Sequence, residues 1–144
     1  MATTTILGIE LPDDTDLVKD GALAIRTVGN GFDSALAKLT LNAKTATYTV
    51  ILTDNQNKLV TMSVATANDF LIPTNANVAF PIGSVINVIQ IGAGQTTIKA
   101  VTLGTTTISS TGATATAPTL RAQFSAASCI KVATDTWYVV GDIA

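Results

Sequence analysis

The chain has 144 residues with eight basic and ten acidic side chains, a net charge of −2, no histidine and one cysteine, Cys129. A pI near 4.7 with singly scattered Lys and Arg leaves no electrostatic footprint for nucleic acid, and one thiol without histidine leaves neither an intrachain disulfide nor a plausible zinc site. Mean hydropathy is +0.44, yet the apolar runs fall far short of the ~20 residues of a membrane span, and Met1 to Thr5 has no basic, apolar leader pattern.

From the N-terminus, Pro12 and the acidic cluster Asp13, Asp14 and Asp16 suit a helix start, with carboxylates at the positive end of the dipole. Val18, Ala22, Ile25, Gly29, Phe32, Leu36 and Leu39 alternate four and three apart, which predicts an apolar seam on a helix between residues 13 and 39. Gly29-Asn30-Gly31 interrupts that seam, each glycine costing about 1 kcal/mol against alanine in a helix interior. The segment is therefore expected as one helix, as two, or as an extended arm, and it needs a partner surface to be ordered.

From Leu41 onward the period changes to two. Residues 46–52 are rich in β-branched and aromatic side chains and end at a turn cluster, 53–57; residues 58–64 then read as the return strand of a hairpin. Phe70-Leu71-Ile72 stops at Pro73 and Val78-Ala79-Phe80 at Pro81, as expected of edge strands or strand ends. Residues 84–91, SVINVIQI, are apolar on both faces, the pattern of a strand buried on two sides. Gly92-Ala93-Gly94-Gln95 turns the chain into a strand from Thr96, and residues 120–124, 129–132 and 137–140 supply three more. Strands this short and this frequent predict a mainly β fold, a compact antiparallel sandwich or barrel-like knob over residues 42–144, preceded by a helical or extended segment over residues 1–41.

A weakly charged, apolar chain that does not span a membrane must bury surface elsewhere, and a small domain has little core to offer. Burial between subunits is the natural outlet.

Candidate chemistry is sparse. Half of the ten carboxylates fall in the first twenty residues and the rest sit mainly at predicted turns. Asp13-Asp14-Thr15-Asp16 lacks the glycine and distal glutamate of an EF-hand loop, and Gly92-Ala93-Gly94 has no lysine at P-loop spacing. Cys129 sits in a strand-like run as a small buried hydrophobe. Trp137 and Tyr138 are adjacent, so on a strand they point to opposite faces, one into a core or interface and one outward. No catalytic residue, metal ligand or cofactor is expected.

Two stretches carry a resemblance. Gly8-Ile9-Glu10-Leu11-Pro12 followed by residues 15–22 looks like the opening of many bacteriophage virion proteins, where such a segment serves attachment. Residues 58–62, Phe80-Pro81-Ile82-Gly83, residues 92–97, Asp135-Thr136-Trp137 and Gly141-Asp142 together resemble the terminal β-module of phage tail or head fibres. The resemblance implies a homotrimeric virion structural protein. Attachment and β-module are nearly adjacent, with no shaft between them, which favours a capsid decoration (cement) protein or short head fibre on the capsid surface. Its partners would be the major capsid protein or another virion component, and other copies of itself. The attachment and oligomerisation residues would then be Ile9, Leu11, Leu17, Val18, Ile25, Phe32, Leu36 and Leu39, with Trp137 and Tyr138 as surface or interface aromatics. The alternative is a tail fibre-type adhesin whose β-domain binds a host surface glycan.

Overall fold

The computed structural model describes residues 2–3, 10–11, 21–36 and 38–144. The chain forms two compact units, Met1–Leu39 and Thr40–Ala144.

In the first unit, β1 (Ala2–Thr3) pairs antiparallel with β2 (Glu10–Leu11), and a single helix, α1, spans Gly21–Leu36. The helix runs unbroken through Gly29-Asn30-Gly31. The expected acidic helix start at Asp13, Asp14 and Asp16 lies outside the described residues.

The second unit is a wound β structure. Its strands in chain order are β3 (Thr40–Lys44), β4 (Tyr48–Thr49), β5 (Lys58–Met62), β6 (Asn68–Ile72), β7 (Val85–Gln90), β8 (Thr96–Ala100), β9 (Thr107–Ser110), β10 (Ala126–Ala133) and β11 (Thr136–Gly141). They form a six-stranded sheet, β3-β5-β7-β10-β11-β9, and a three-stranded sheet, β4-β6-β8. From β3 to β9 each successive strand lies in the other sheet, and the neighbours β3/β5/β7 and β4/β6/β8 are parallel. The chain thus coils through both sheets, and the β10–β11 hairpin enters between β7 and β9, antiparallel to β7 and parallel to β9.

The mainly β character stands, but the antiparallel arrangement expected from the sequence is corrected, since most strand pairs here are parallel. The hairpin expected across residues 53–57 is absent because Leu52–Asn55 forms a 3-10 turn that carries the chain from one sheet to the other. Asp54 anchors that turn. It is fully buried, its Oδ1 accepts from Asn42 Nδ2 at 2.7 Å, and its Oδ2 accepts from the Tyr48 hydroxyl at 2.7 Å and Ile51 N at 2.9 Å. Residues 78–80 are likewise not a strand but part of the link between β6 and β7.

One core lies between the sheets. Val60, Met62, Ile86, Val88, Cys129, Trp137 and Val139 from the larger sheet meet Phe70, Ile72 and Ile98 from the smaller, with Phe80 against the Trp137 edge at 5.4 Å and 86°. At one corner the coils stack backbone on backbone: Gly92 N and Gly94 N donate to Met62 O and Val64 O at 2.9 Å each. Inside that corner Thr96 Oγ1 donates to Asn68 Oδ1 at 2.9 Å and Thr96 N to Gln90 Oε1 at 2.9 Å, so the buried polar side chains satisfy one another.

Candidate interaction surfaces

The residues expected to mediate attachment fall in the first unit. Ile9, Leu17 and Val18 lie outside the described residues, as do the side chains of Leu11 in β2 and Leu36 at the end of α1. Ile25 and Phe32, seven residues apart on one side of α1, are exposed to 71% and 46%, and Leu39 just beyond the helix is exposed as well. Among the described residues, Ile25 and Phe32 thus give α1 an exposed apolar side.

Trp137 and Tyr138 point opposite ways, as alternation along a strand requires. Trp137 is buried in the core, so it is no stacking platform; Tyr138 is half exposed on the outer face.

That outer face carries the feature the sequence reading missed. In register across the larger sheet run Leu41, Leu59, Asn87, Ser128 and Val140. Beside them run Val85, Ile130, Tyr138 and Ser109, and then Ala43, Thr61, Ile89 and Ala126. No member of these rows is charged. Leu41, Val85, Tyr138 and Val140 are all exposed. The polar pair in its middle is self-satisfied, Ser128 Oγ donating to Asn87 Oδ1 at 2.7 Å. A face so made can be covered without stranding a charge. The doubly apolar pattern of SVINVIQI was its signal: Ile86 and Val88 line the core, while Val85 and Ile89 belong to the outward rows.

The candidate reactive groups singled out from the sequence sit as follows. The partners of the Asp54 carboxylate are donors from the same stretch of chain, so it holds the turn. The Tyr48 phenol, buried in part and donating to Asp54, is pushed up to about 12. Burial pushes the Cys129 thiol up to about 12 as well, which keeps it protonated and unreactive. Gly92-Ala93-Gly94 forms the stacked corner described above. Among the described residues, no three His, Cys, Asp or Glu side chains gather where they could hold a metal, and no helix is long and apolar enough to cross a membrane.

Compared with family models, curated proteins and solved structures, the chain matches none.

Proposed function

We propose that the chain is a non-enzymatic phage virion structural protein, a trimeric capsid decoration protein or short head fibre that binds and stabilises the capsid surface. In this reading the β unit packs against further copies of itself through the outer face of the larger sheet. The segment around residues 9–39, with the Ile25 and Phe32 side of α1, engages the major capsid protein or another shell component. The observation that carries it is the charge-free outer face, a sheet surface suited to a second apolar sheet and unsuited to a soluble monomer. Two twisted sheets pack face to face about 10 Å apart with interdigitated side chains, and obligate interfaces are built like a core cut in half. A protein that binds only the assembled lattice stabilises it by mass action.

The β unit has its own core, so a chain beginning at Thr40 is expected to fold yet to lose capsid binding. The double variant Ile25→Asp, Phe32→Asp is expected to lose it in the full chain. Undiminished binding by both would overturn the attachment assignment.

The exposure of Tyr138 favours a second reading, a tail fibre-type adhesin that stacks a host surface glycan on this ring. It predicts glycan-array binding by the wild-type chain that Tyr138→Ala abolishes without unfolding.

A further inference from the structure

Lys131 lies on the inner side of β10, in line with Trp137 of β11, and only 3% of it is exposed. Its Nζ donates to the Phe80 carbonyl oxygen at 2.7 Å and to Oδ1 of the Asn75 side chain. Among the described residues its ammonium makes no ion pair; the carboxylates so engaged are Asp69, with Lys99, and Asp142, with Arg121. A buried cation held by neutral oxygens is an expensive arrangement, and its inner neighbours along the strand, Cys129 and Ala127, are small apolar groups that offer it no partner.

The backbone that carries Asn75 is pinned as well. Its backbone N donates to Asp135 Oδ1 at 2.6 Å, in the tight turn between β10 and β11, and Asn77 N and Val78 N both return to Thr74 O at 3.0 Å. Residues 83–84 clasp β10 at the lysine itself, Gly83 N donating to Lys131 O at 2.8 Å and Lys131 N to Ser84 O at 2.9 Å. The Phe80 ring packs at 5.4 Å against Trp137, the residue paired with Lys131 across the hairpin. A buried amine and a half-buried carboxamide are thus held in contact by structure on both sides. Such fixing supplies the effective concentration that intramolecular acyl transfer needs.

We propose that Lys131 and Asn75 form an intramolecular isopeptide bond. Lys131 Nζ passes a proton to Asn75 Oδ1, which it already touches, and as the neutral amine attacks Asn75 Cγ; the Nζ–Cγ bond forms, and the Cγ–Nδ2 bond breaks. The protons that Nζ sheds leave on the departing nitrogen, so an ammonium side chain and a carboxamide become a secondary amide and a free ammonium ion. No oxidant, metal or co-reactant enters. The product removes a buried charge and leaves an amide N–H and C=O in place of the ammonium. It also ties the long link after β6, which leaves the smaller sheet, to β10 in the larger one.

The test is the intact mass of the purified full-length chain, with peptide mapping. The expected mass is that of the sequence, with or without its first methionine, less one ammonia. Lys131→Met and Asn75→Ala are each expected to abolish the loss. In the wild-type digest the peptides containing Asn75 and Lys131 are expected to be joined, with no tryptic cleavage after Lys131. A wild-type chain at the unshifted mass overturns the proposal even if both variants misfold. So does a loss of ammonia that persists in Lys131→Met, which would place it at another amide.

Discussion

A Cβ built on Gly94 would lie 1.9 Å from the carbonyl oxygen of Thr66, in the corner of the preceding coil. Gly92 meets Val64 O in the same way at 2.2 Å. These glycines let one corner rest directly on the next, and the obstruction is backbone, which cannot swing aside. Gly94→Ala is therefore expected to destabilise the β unit by about 3 kcal/mol, at or beyond the upper end of ordinary overpacking. Gly29, inside α1 with open space around it, is expected to behave oppositely, Gly29→Ala favouring the helix by up to about 1 kcal/mol. Urea midpoints for the first and helical circular dichroism for the second measure the contrast.

Neighbouring aromatics separate core from surface. Trp137→Ala is expected to cost about 3–5 kcal/mol, as for other buried large-to-small changes, while Tyr138→Ala is expected to stay within about 0.5 kcal/mol in the isolated β unit. Equal losses in chemical denaturation would contradict the facing of β11.

Removing the Asp54 carboxylate strands donors from Asn42, Tyr48 and Ile51. Asp54→Ala is expected to cost about 3 kcal/mol or more, since bonds to a charged acceptor are each worth about 1.5–3 kcal/mol. The Tyr48 pKa offers a second reading of the same contact. A phenol raised in the folded state from 10.0 to about 12 contributes stability that is complete below pH 10 and is lost as pH rises through that interval. Ultraviolet titration should show this pKa falling part of the way back in Asp54→Ala, burial sustaining the remainder.

At the end of the chain, Arg121 Nε and Nη2 bind both oxygens of Asp142 at 2.6 and 3.0 Å, and Ser125 Oγ donates to Oδ2 at 2.6 Å. The guanidinium beside it, then the serine, hold the Asp142 carboxyl below the usual carboxylate range. A depressed acid stabilises the folded chain above its unfolded pKa, and the contribution disappears as pH falls through the folded value. In Arg121→Gln the Asp142 carboxyl, followed by carbon-detected NMR, should titrate at higher pH than in the wild-type chain.

A lysine in the outer rows should separate copies without unfolding them. Val140 and Val85 are exposed and on the charge-free face, so Val140→Lys and Val85→Lys are expected to leave thermal unfolding of the β unit within about 0.5 kcal/mol and to convert the proposed trimer to monomers. Native mass spectrometry measures this, and trimers that survive both substitutions would move the interface off this face.

Much of the β unit was legible residue by residue. Alternation located β5, β6, β7, β8 and β11 and set Trp137 against Tyr138, because side-chain period depends only on the chain's own pleat. It says nothing of which strand lies alongside or in which direction, and there the reading went wrong. The coil leaves no simple sequence repeat because its links differ: residues 50–57 hold a 3-10 turn fixed by Asp54, while residues 73–84 form a long crossing that carries Asn75 and Phe80. β9, with the sequence TISS, is too short and too polar for its pattern to stand out. The pairing of Lys131 with Asn75 joins residues far apart in sequence and needed the fold, although Ala127, Cys129 and Lys131 on one side of a strand already placed a lysine among inner residues.

The most direct measurement is cryo-electron microscopy of virions that carry this chain. Three-fold clusters of the β unit spread over the capsid lattice, sheet face to sheet face, are the expected result. Density confined to the tail or its tip would contradict the decoration role and turn attention to Tyr138 and a host glycan.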